Sequence, residues 1–289
     1  MTRINSYWQN KVCLVTGGSS GLGQALAAAW SRQGARVIIT ARRQEPLEQV
    51  ASRLNAEGGQ VVPMVADGTW QEDVQNLLES IADRYGQLDL LCNCAGRSTR
   101  SPILETSADD FQQLLEVNLL ATVRTTRAAA KLLLASGGHV VNIGSLASKV
   151  APRYMGAYPA AKFAVAAYSQ QLRLELGPQG LHILLVCPGP IARSPSVNSS
   201  ATESTGPGNT NSANSSRYAS PSTNLPDQAH RPGGGAKVKL IDPDWLAEKI
   251  LIASQRRRSE LVVPAKARLL FTLSQISPRL GDWLLLRTT

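Results

Sequence analysis

The segment YPAAK contains a tyrosine and a lysine that together could move a proton. Tyr158 and Lys162 are four residues apart, and side chains at this spacing are neighbours on one face of a helix. A free tyrosine has a pKa of about 10, and a nearby ammonium group lowers that pKa by stabilising the phenolate. The pair could therefore act as a general acid or base. Taken alone, such a pair is more often part of a solvated helix face.

Two polar residues elsewhere could support this chemistry. Ser145 ends the strand-like segment HVVNIGS, at the edge where open α/β sheets bind their ligands, and its hydroxyl could donate to a substrate carbonyl. Asn118 interrupts the apolar helical segment LLEVNLLA, where a buried amide needs a hydrogen-bond partner. Taken singly, Ser145 is explained as a turn residue and Asn118 as a satisfied core amide.

The glycine-rich turn in LVTGGSSGLGQALA is suited to bind phosphate. Gly17, Gly21 and Gly23 permit positive φ and close approach of the backbone. The helix that begins near Leu22 directs its free N–H groups and positive dipole end toward the turn. The alternative is a tight turn without a ligand, but the place between a buried strand and a helix favours phosphate binding.

The elements that position these residues alternate between strands and helices. The predicted strands are short, apolar and rich in β-branched residues, as strands buried on both faces are: Val12–Thr16, Val37–Thr40, Val61–Val65, Leu88–Cys92, Val140–Ile143 and Ile183–Cys187. Helical patterns cover Leu22–Gln33, Pro46–Ala56, Gln71–Tyr85, Ala108–Leu134 and Ala157–Leu176. This alternation predicts an α/β fold, a Rossmann-type doubly wound parallel sheet covered by helices in a single domain.

The composition changes after this region. Residues 194–236 are dominated by Ser, Asn, Thr, Pro and Gly, and we expect a flexible insertion. Asp242 is predicted to cap a helix that starts with Pro243, and Glu260–Pro264 is predicted to form a last strand. The predicted segments are the main part of the domain (1–193), the insertion (194–236), the final helix and strand (237–264) and an amphipathic C-terminal extension (265–289).

The composition limits the environment and the partners. The net charge of +9 on 289 residues favours anionic partners, such as phosphorylated cofactors, acidic lipids or nucleic acid. Cys13, Cys92 and Cys187 lie in strand-like segments, so we expect buried thiols in a reducing compartment, the cytoplasm. We expect no zinc site. The first residues do not resemble a signal peptide, and no apolar run is long enough to span a membrane.

Together these residues resemble the short-chain dehydrogenase/reductase family. The resemblance covers about Lys11 to Gly189 and Lys239 to Pro264. It includes the TGxxxGxG turn, the segment NCAG at positions 93–96 in place of the family's NNAG, and the PG pair at positions 188–189. The residues that match the family's catalytic tetrad are Asn118, Ser145, Tyr158 and Lys162.

The resemblance implies hydride transfer between a nicotinamide cofactor and a carbonyl–alcohol pair, without a metal. Tyr158 would protonate the nascent alkoxide, and Lys162 would lower the pKa of Tyr158 and hold the nicotinamide ribose. Ser145 would polarise the carbonyl, and Asn118 would position a water that links Lys162 to solvent. The other residues implied in cofactor binding are Gly17, Ser19, Ser20, Gly21, Leu22, Gly23, Arg42, Arg43, Asp67, Asn93, Ala95, Gly96, Pro188, Gly189 and Ile191.

The same resemblance places the segment VIITARRQ where a strand end faces the adenosine ribose. An NAD-preferring enzyme usually has an acidic residue there, whereas this chain has Ala41 followed by Arg42. A guanidinium can bind a 2′-phosphate in a bidentate, charge-assisted manner. Arg43 either assists or is solvated. The sequence therefore predicts that NADP(H) is preferred over NAD(H).

Three residues depart from the family pattern. Cys94 replaces the second asparagine of NNAG, Gly68 follows Asp67 where an aliphatic residue is usual, and Arg193 stands where many members have a threonine. The contact of the second asparagine is not expected from Cys94, and Arg193 either reaches the cofactor phosphates or an acidic substrate, or faces solvent.

The expected substrate is a small carbonyl or alcohol compound, with a lipophilic ketone favoured. The alternatives are an NAD-dependent alcohol dehydrogenase, a catalytically silent dinucleotide-binding scaffold and a nucleic-acid-binding protein. The intact tetrad argues against a silent scaffold. The basic charge has no accompanying aromatic-basic motif, so we expect no nucleic acid partner.

The C-terminal extension allows two interpretations. Apolar residues recur there at helical spacing, with a break near Pro278: Leu269, Leu273, Ile276, Leu280 and Trp283. They predict either a helix pair packed on the core or on a second subunit, or a basic amphipathic hairpin in peripheral contact with a membrane. We expect a homo-oligomer.

Overall fold

Seven parallel strands form one sheet in the computed structural model, which describes residues 6–192, 225 and 239–288. The order is β3–β2–β1–β4–β5–β6–β7. The strands are β1 Val12–Thr16, β2 Arg36–Ala41, β3 Gln60–Val65, β4 Leu90–Asn93, β5 His139–Ile143, β6 His182–Pro188 and β7 Glu260–Val263. All seven predicted strands are confirmed, and the largest shift is that β4 begins at Leu90 instead of Leu88.

Helices cover both faces of the sheet, as the predicted Rossmann-type architecture requires. Apolar residues of α1, α2 and α7 pack on one face, and those of α3, α5 and α6 pack on the other. The bounds are α1 Gly21–Ser31, α2 Gln44–Ala56, α3 Gln71–Tyr85, α4 Ala108–Leu115, α5 Ala121–Ala135, α6 Tyr158–Leu176, α7 Pro243–Gln255, α8 Ala267–Ile276 and α9 Pro278–Thr288. Asp242 caps α7 as predicted, accepting a hydrogen bond from the backbone N–H of Trp245 at 2.8 Å.

The predicted long helix over Ala108–Leu134 is interrupted. A five-residue π-helical segment, Glu116–Leu120, separates α4 from α5. Such insertions are often found at functional sites. Asn118 lies in the middle of this segment and is buried. Its side-chain amide donates to the carbonyl oxygens of Leu114 and Arg97, both at 3.0 Å, so the widened turn is held by Asn118 itself.

The order of the strands creates a crevice at the carboxyl edge of the sheet. β1 pairs with β2 on one side and with β4 on the other. Successive strands are therefore added first on one side of β1 and then on the other. Open α/β sheets bind ligands at the point where this order switches. The glycine turn follows β1 and the NCAG segment includes the end of β4, so both border the crevice.

The C-terminal extension forms a helix pair, α8 and α9, that packs on the domain. Phe271 of α8 is buried against Val150, Val165 and Val262. A Cβ at Gly281 would lie within 2.5 Å of the Ser274 hydroxyl, so glycine allows the two helices to approach closely. The outer face carries exposed apolar residues, Leu269, Ile276, Leu280, Trp283 and Leu286. Among the helices within the described ranges, none combines the length and apolarity that a membrane crossing requires.

The predicted insertion at 194–236 lies outside the described residues except for Leu225, which is buried. Arg193 also lies outside them. The flexibility of the insertion and the role of Arg193 remain predictions.

A chain of buried hydrogen bonds lies at the amino ends of β5 and β6, opposite the crevice. The Tyr7 hydroxyl bonds to His139 Nε2 at 2.7 Å, His139 Nδ1 to His182 Nδ1 at 2.8 Å, and His182 Nε2 to the Arg258 carbonyl oxygen at 2.8 Å. A carbonyl only accepts, so His182 Nε2 carries a proton. With both imidazoles neutral, the state that burial favours, His182 Nδ1 accepts from His139 and His139 Nε2 accepts from Tyr7.

The hydrogen bonds of His139 and His182 predict that the protein loses stability as the pH falls below 7. Burial, aided by His182, Arg257 and Lys11, lowers the pKa of His139 to about 3, and burial also lowers the pKa of His182. Between that value and the ordinary pKa of about 6.5, the unfolded chain binds more protons than the folded protein. We therefore expect the free energy of unfolding to fall by about 2 kcal/mol between about pH 7 and pH 5.

Urea titrations at the two pH values measure this loss. In a His139→Gln variant, which is less stable at neutral pH, most of the His139 share of the pH dependence should disappear. An unchanged pH dependence in that variant would rule out His139 as its source.

Candidate active site

The predicted site residues all line one cavity of about 1690 Å³. It extends from the glycine turn along the carboxyl edge of the sheet to α8 and α9. The structure thus brings together the predicted tetrad, Asn118, Ser145, Tyr158 and Lys162, and the predicted cofactor residues, Gly17, Ser19, Ser20, Gly21, Leu22, Gly23, Arg42, Arg43, Asp67, Asn93, Ala95, Gly96, Pro188, Gly189 and Ile191.

The glycine turn is compact because side chains are missing where the backbone doubles back. Gly17 has φ +71, and a Cβ there would lie 3.0 Å from the backbone of Ala95. A Cβ at Gly23 would lie 2.2 Å from the Gly17 carbonyl oxygen, a distance that no side chain tolerates. The N–H groups of Gly17 and Gly18 both donate to the Thr40 carbonyl, which fixes the turn against β2.

We expect a Gly23→Ala substitution to disrupt dinucleotide binding. The added methyl must push the Gly17 backbone away, which displaces the turn from the amino end of α1. The dissociation constant for a nicotinamide dinucleotide should rise by at least about tenfold, measured by quenching of intrinsic fluorescence.

Ser52→Ala is the control for this change, since Ser52 is an exposed residue of α2 that does not line the cavity. Near-normal dinucleotide binding by the Gly23 variant would contradict the proposed role of the turn.

Thr16 joins the two loops that border the crevice. Its hydroxyl oxygen accepts hydrogen bonds from the backbone N–H groups of Cys94 and Ala95, both at 3.1 Å. The residue is buried at the end of β1. Thr16 was not among the predicted site residues, although its place as the first residue of the TGxxxGxG segment could have indicated it.

The side chain of Asn93 is buried and forms hydrogen bonds with other buried side chains. Its side-chain amide donates to Thr126 Oγ1 at 3.0 Å and to Asn142 Oδ1 at 2.9 Å, and its Oδ1 accepts from Thr125 Oγ1 at 2.6 Å. Both amide protons are used, so the Asn93 side chain has no proton left for a ligand in the cavity, and a donated hydrogen bond has to come from its backbone N–H.

The end of β2 presents two exposed cations to the cavity. Arg42 and Arg43 directly follow Ala41, and α2 begins at Gln44. Within the described ranges, no carboxylate forms an ion pair with either arginine. The positive end of the α2 dipole adds to their field. This part of the cavity is suited to bind an anionic group.

Asp67 borders the same end of the cavity after β3. Its carboxylate accepts from the backbone N–H and the hydroxyl of Thr69, at 2.9 and 2.8 Å. A Cβ at Gly68 would lie 3.3 Å from the Cβ of Ala121, which is tighter than an ordinary contact. The close packing against α5 accounts for glycine where the family usually has an aliphatic residue.

Tyr158 and Lys162 occupy the first turns of α6, with Pro159 at the first helical positions. The Lys162 ammonium lies 5.8 Å from the centroid of the Tyr158 ring and donates to the Ile143 carbonyl at 2.8 Å. Lys162 is buried, and this desolvation lowers its pKa to about 8, although the Cys94 and Cys187 thiols act in the opposite direction. The predicted juxtaposition of phenol and ammonium is therefore present.

Asn118 faces the lysine across a glycine. Asn118 Oδ1 is buried and accepts no hydrogen bond from the described residues. A Cβ at Gly96 would lie 2.6 Å from this oxygen and 3.6 Å from Lys162 Nζ, so glycine keeps the space between them open. A water in that space would satisfy Oδ1 and reach the ammonium.

Ser145 caps a short 3-10 turn directly after β5. Its Oγ accepts from the Ala147 N–H at 3.1 Å, and its own N–H donates to Ser148 Oγ at 3.1 Å. These bonds orient the side chain and use the hydroxyl oxygen as an acceptor. Its proton is thus suited to be donated to a carbonyl oxygen.

Cys94 takes the place of the family's asparagine without reactive chemistry. The thiol is half-buried in the cavity wall, and burial raises its pKa to about 12 despite the opposing effect of Lys162. The other three cysteines are buried. A thiol with this pKa is protonated at neutral pH and is a poor nucleophile.

The residues of the cavity fit a nicotinamide dinucleotide. A glycine turn before a helix suits a pyrophosphate, and the exposed arginines beyond it suit a further phosphate. At the other end, the unsatisfied oxygen of Asn118 and the buried ammonium of Lys162 provide polar groups next to Tyr158.

Curated relatives resemble about 62% of the chain. An uncharacterized oxidoreductase of Staphylococcus aureus is 34% identical over 181 residues, which cover 62% of this chain and 78% of the relative. The glycine betaine reductase ATRR of Emericella nidulans is 38% identical over 180 residues, or 62% of this chain. That match spans only 14% of the length of the reductase.

Solved structures resemble the whole fold. A short-chain dehydrogenase from Streptomyces avermitilis is 29% identical with a TM-score of 0.75, covering 96% of this chain and 97% of the other. A metagenomic short-chain oxidoreductase solved with NADP is 26% identical with a TM-score of 0.67, covering 89% and 97%. A Burkholderia phymatum short-chain dehydrogenase/reductase solved with NAD shares the fold at 22% identity, with a TM-score of 0.76 and coverage of 94% and 95%.

The family comparison is direct. The family model described as short chain dehydrogenase matches residues 11–204. This match covers more than half of the chain and contains the glycine turn and all four tetrad positions. The protein is therefore an oxidoreductase that belongs to the short-chain dehydrogenase/reductase family.

Proposed function

We propose that this protein is an NADP(H)-dependent reductase of carbonyl compounds, with Tyr158 as its general acid and base. The observation that carries the proposal is that one cavity joins a phosphate-binding turn and Arg42 to a tyrosine–lysine pair. An NAD-dependent alcohol dehydrogenase is the alternative, distinguished by the choice of dinucleotide.

The side chains divide the chemistry between them. When bound, the nicotinamide supplies the hydride in reduction and accepts it in oxidation. Tyr158 donates its phenolic proton to the carbonyl oxygen in reduction and takes a proton back in oxidation. Ser145 donates a hydrogen bond to the same oxygen as negative charge develops there.

Lys162 stabilises the phenolate form of Tyr158 and so keeps proton transfer feasible at neutral pH. A pKa of about 8 leaves most of Lys162 charged at neutral pH. Asn118 holds a water through its Oδ1 on the path between Lys162 and solvent.

The preference for NADP(H) rests on charge at the end of β2. Arg42 offers a guanidinium, and Ala41 removes the carboxylate that would repel a 2′-phosphate. Among the structural neighbours, one was solved with NADP and another with NAD, and the arginine pair favours the former for this chain.

A spectrophotometric screen tests the proposed activity. Lipophilic ketones and aldehydes are offered to the protein with NADPH or NADH, and the loss of absorbance by the reduced nicotinamide is followed. We expect turnover with NADPH to exceed turnover with NADH for the best substrate. Equal turnover with both dinucleotides, or better turnover with NADH, would favour the alternative.

We also propose peripheral contact with a membrane through α8 and α9. The outer face of the pair exposes Leu269, Ile276, Trp283 and Leu286, which are 67%, 77%, 46% and 58% exposed. The extension at 265–289 carries four cationic residues and one acid. Exposed apolar groups with flanking cations bind anionic lipid surfaces.

Sedimentation with anionic vesicles tests this contact. An Ile276→Ser/Leu286→Ser variant should lose most of the vesicle-bound fraction, whereas Leu104→Ser, at a 97% exposed position, should not. If none of the proteins sediments with vesicles and the serine variant shifts to a smaller mass in size-exclusion chromatography, the same face joins subunits. The homo-oligomer and the cytoplasmic location remain predictions.

A further inference from the structure

The C-terminal helix pair contributes a wall to the cavity that contains Tyr158. Leu270, Phe271 and Leu285 line this cavity and belong to one apolar cluster with Leu146 and Val150. Leu146 immediately follows Ser145. An apolar surface therefore runs from the candidate catalytic serine to the inner face of α8 and α9.

The same wall carries positive charge. Lys266, next to the start of α8, and Arg287, near the end of α9, line the cavity together with the buried Arg100 from the segment after β4. The Arg287 guanidinium also lies 3.9 Å from the centroid of the Trp283 ring, a cation–π contact within α9. Within the described ranges, neither Lys266 nor Arg287 forms an ion pair.

Acidic residues occur only at the other end of the cavity, among the described residues that line it. They are Glu45, in the first turn of α2, and Asp67, after β3. Both therefore border the predicted adenosine end, and the wall around Leu270 and Phe271 has cations without acids. The absence of lining carboxylates among the described residues therefore distinguishes the substrate end of the cavity from the dinucleotide end.

We infer that the substrate is an amphipathic anion: a carbonyl compound with an extended apolar body and an acidic group, such as a carboxylate. This inference rests on the proposed reductase function and specifies its substrate class. The apolar body lies on the surface formed by Val150, Leu270 and Phe271, and the acidic group lies near Lys266 and Arg287. A neutral lipophile would gain nothing from the cations, and a small polar carbonyl would leave the apolar wall wet.

Paired ligands isolate the contribution of the charge. A long-chain keto acid and its methyl ester have the same carbonyl and apolar body, and only the acid is charged. Isothermal titration calorimetry in the presence of NADP+, which has no hydride to donate to the carbonyl, measures the dissociation constant of each. We expect the wild-type protein to bind the acid roughly fivefold to twentyfold more tightly, because exposed ion pairs contribute modestly.

A double variant identifies the cations responsible. Lys266→Gln/Arg287→Gln should remove most of the preference for the acid and should shift ester binding by less than about twofold. Arg256→Gln/Arg258→Gln removes the same charge from exposed positions outside the cavity and should retain the preference.

The inference is overturned if the wild-type protein binds the acid no more tightly than the ester. It is equally overturned if the Lys266/Arg287 variant keeps the full preference, or if the control variant loses it. Turnover of the ester with NADPH reports separately on the proposed function, so failure of the reductase proposal is distinguished from failure of the substrate class.

Discussion

Replacing Tyr158 with phenylalanine should lower turnover of any carbonyl substrate by about a hundredfold to ten-thousandfold, the usual contribution of a positioned acid or base. The substitution removes one oxygen and keeps the ring that lies 5.8 Å from the Lys162 ammonium. Dinucleotide binding should therefore persist. Steady-state rates with NADPH and fluorescence titration of NADPH measure the two properties on the same preparation.

Tyr85→Phe is the matched control, because Tyr85 ends α3 and does not line the cavity. It should retain normal turnover. Full activity in the Tyr158 variant would refute its role as acid and base. Loss of NADPH binding together with turnover would assign Tyr158 to binding instead of proton transfer.

Removing the guanidinium of Arg42 should change the choice of cofactor. We expect Arg42→Ala to raise the dissociation constant for NADPH by about tenfold to hundredfold and the constant for NADH by less than about threefold, because only NADPH carries the 2′-phosphate. The exposed side chain has few contacts to lose, so stability should be nearly unchanged. Fluorescence titration of both dinucleotides measures the effect.

Arg36→Ala provides the control, since Arg36 is an exposed arginine at the opposite end of the same strand. It removes equal charge at the other edge of the sheet. Equal losses for NADPH and NADH in the Arg42 variant would return Arg42 to the role of a solvated strand end. The preference for NADP(H) would then have no support.

The fold was predictable because its signals are local. Buried parallel strands appear as short apolar runs and the helices between them as amphipathic patterns. The strand Val12–Thr16 and the helix Gln71–Tyr85 were therefore predicted with the correct bounds. The site followed because its residues sit at fixed points of those elements, such as Ser145 after β5 and Gly23 at the start of α1. Because the carboxyl ends of parallel strands lie at one edge of the sheet, residues that follow these strands were expected to form one site there.

Other features depend on contacts between distant segments. The π-helical segment around Asn118 looks like ordinary helix in sequence, and only the bonds of Asn118 to Leu114 and Arg97 reveal it. The row predicted in the C-terminal extension has Leu269 and Ile276 facing outward, whereas Phe271, which the pattern passed over, packs on the core. The helical spacing of apolar residues alone does not show which face of a helix packs on the core and which faces solvent.

The contact between the buried residues His139 and His182 could also not be predicted from the local sequence pattern. Each residue begins a strand, and only the parallel register of β5 and β6 brings the two rings together. Such pairs arise from sheet topology, which local propensity does not encode.

Transfer of deuterium from the cofactor to a product tests the central claim most directly. The protein is incubated with a ketone and with NADPH carrying two deuterium atoms at the reactive carbon of the nicotinamide, so that either hydrogen transferred is labelled, and the product is examined by mass spectrometry. We expect an alcohol with one deuterium on the former carbonyl carbon, formed by the wild-type protein and nearly absent with Tyr158→Phe. An alcohol without deuterium, or equal yields from both proteins, would contradict it.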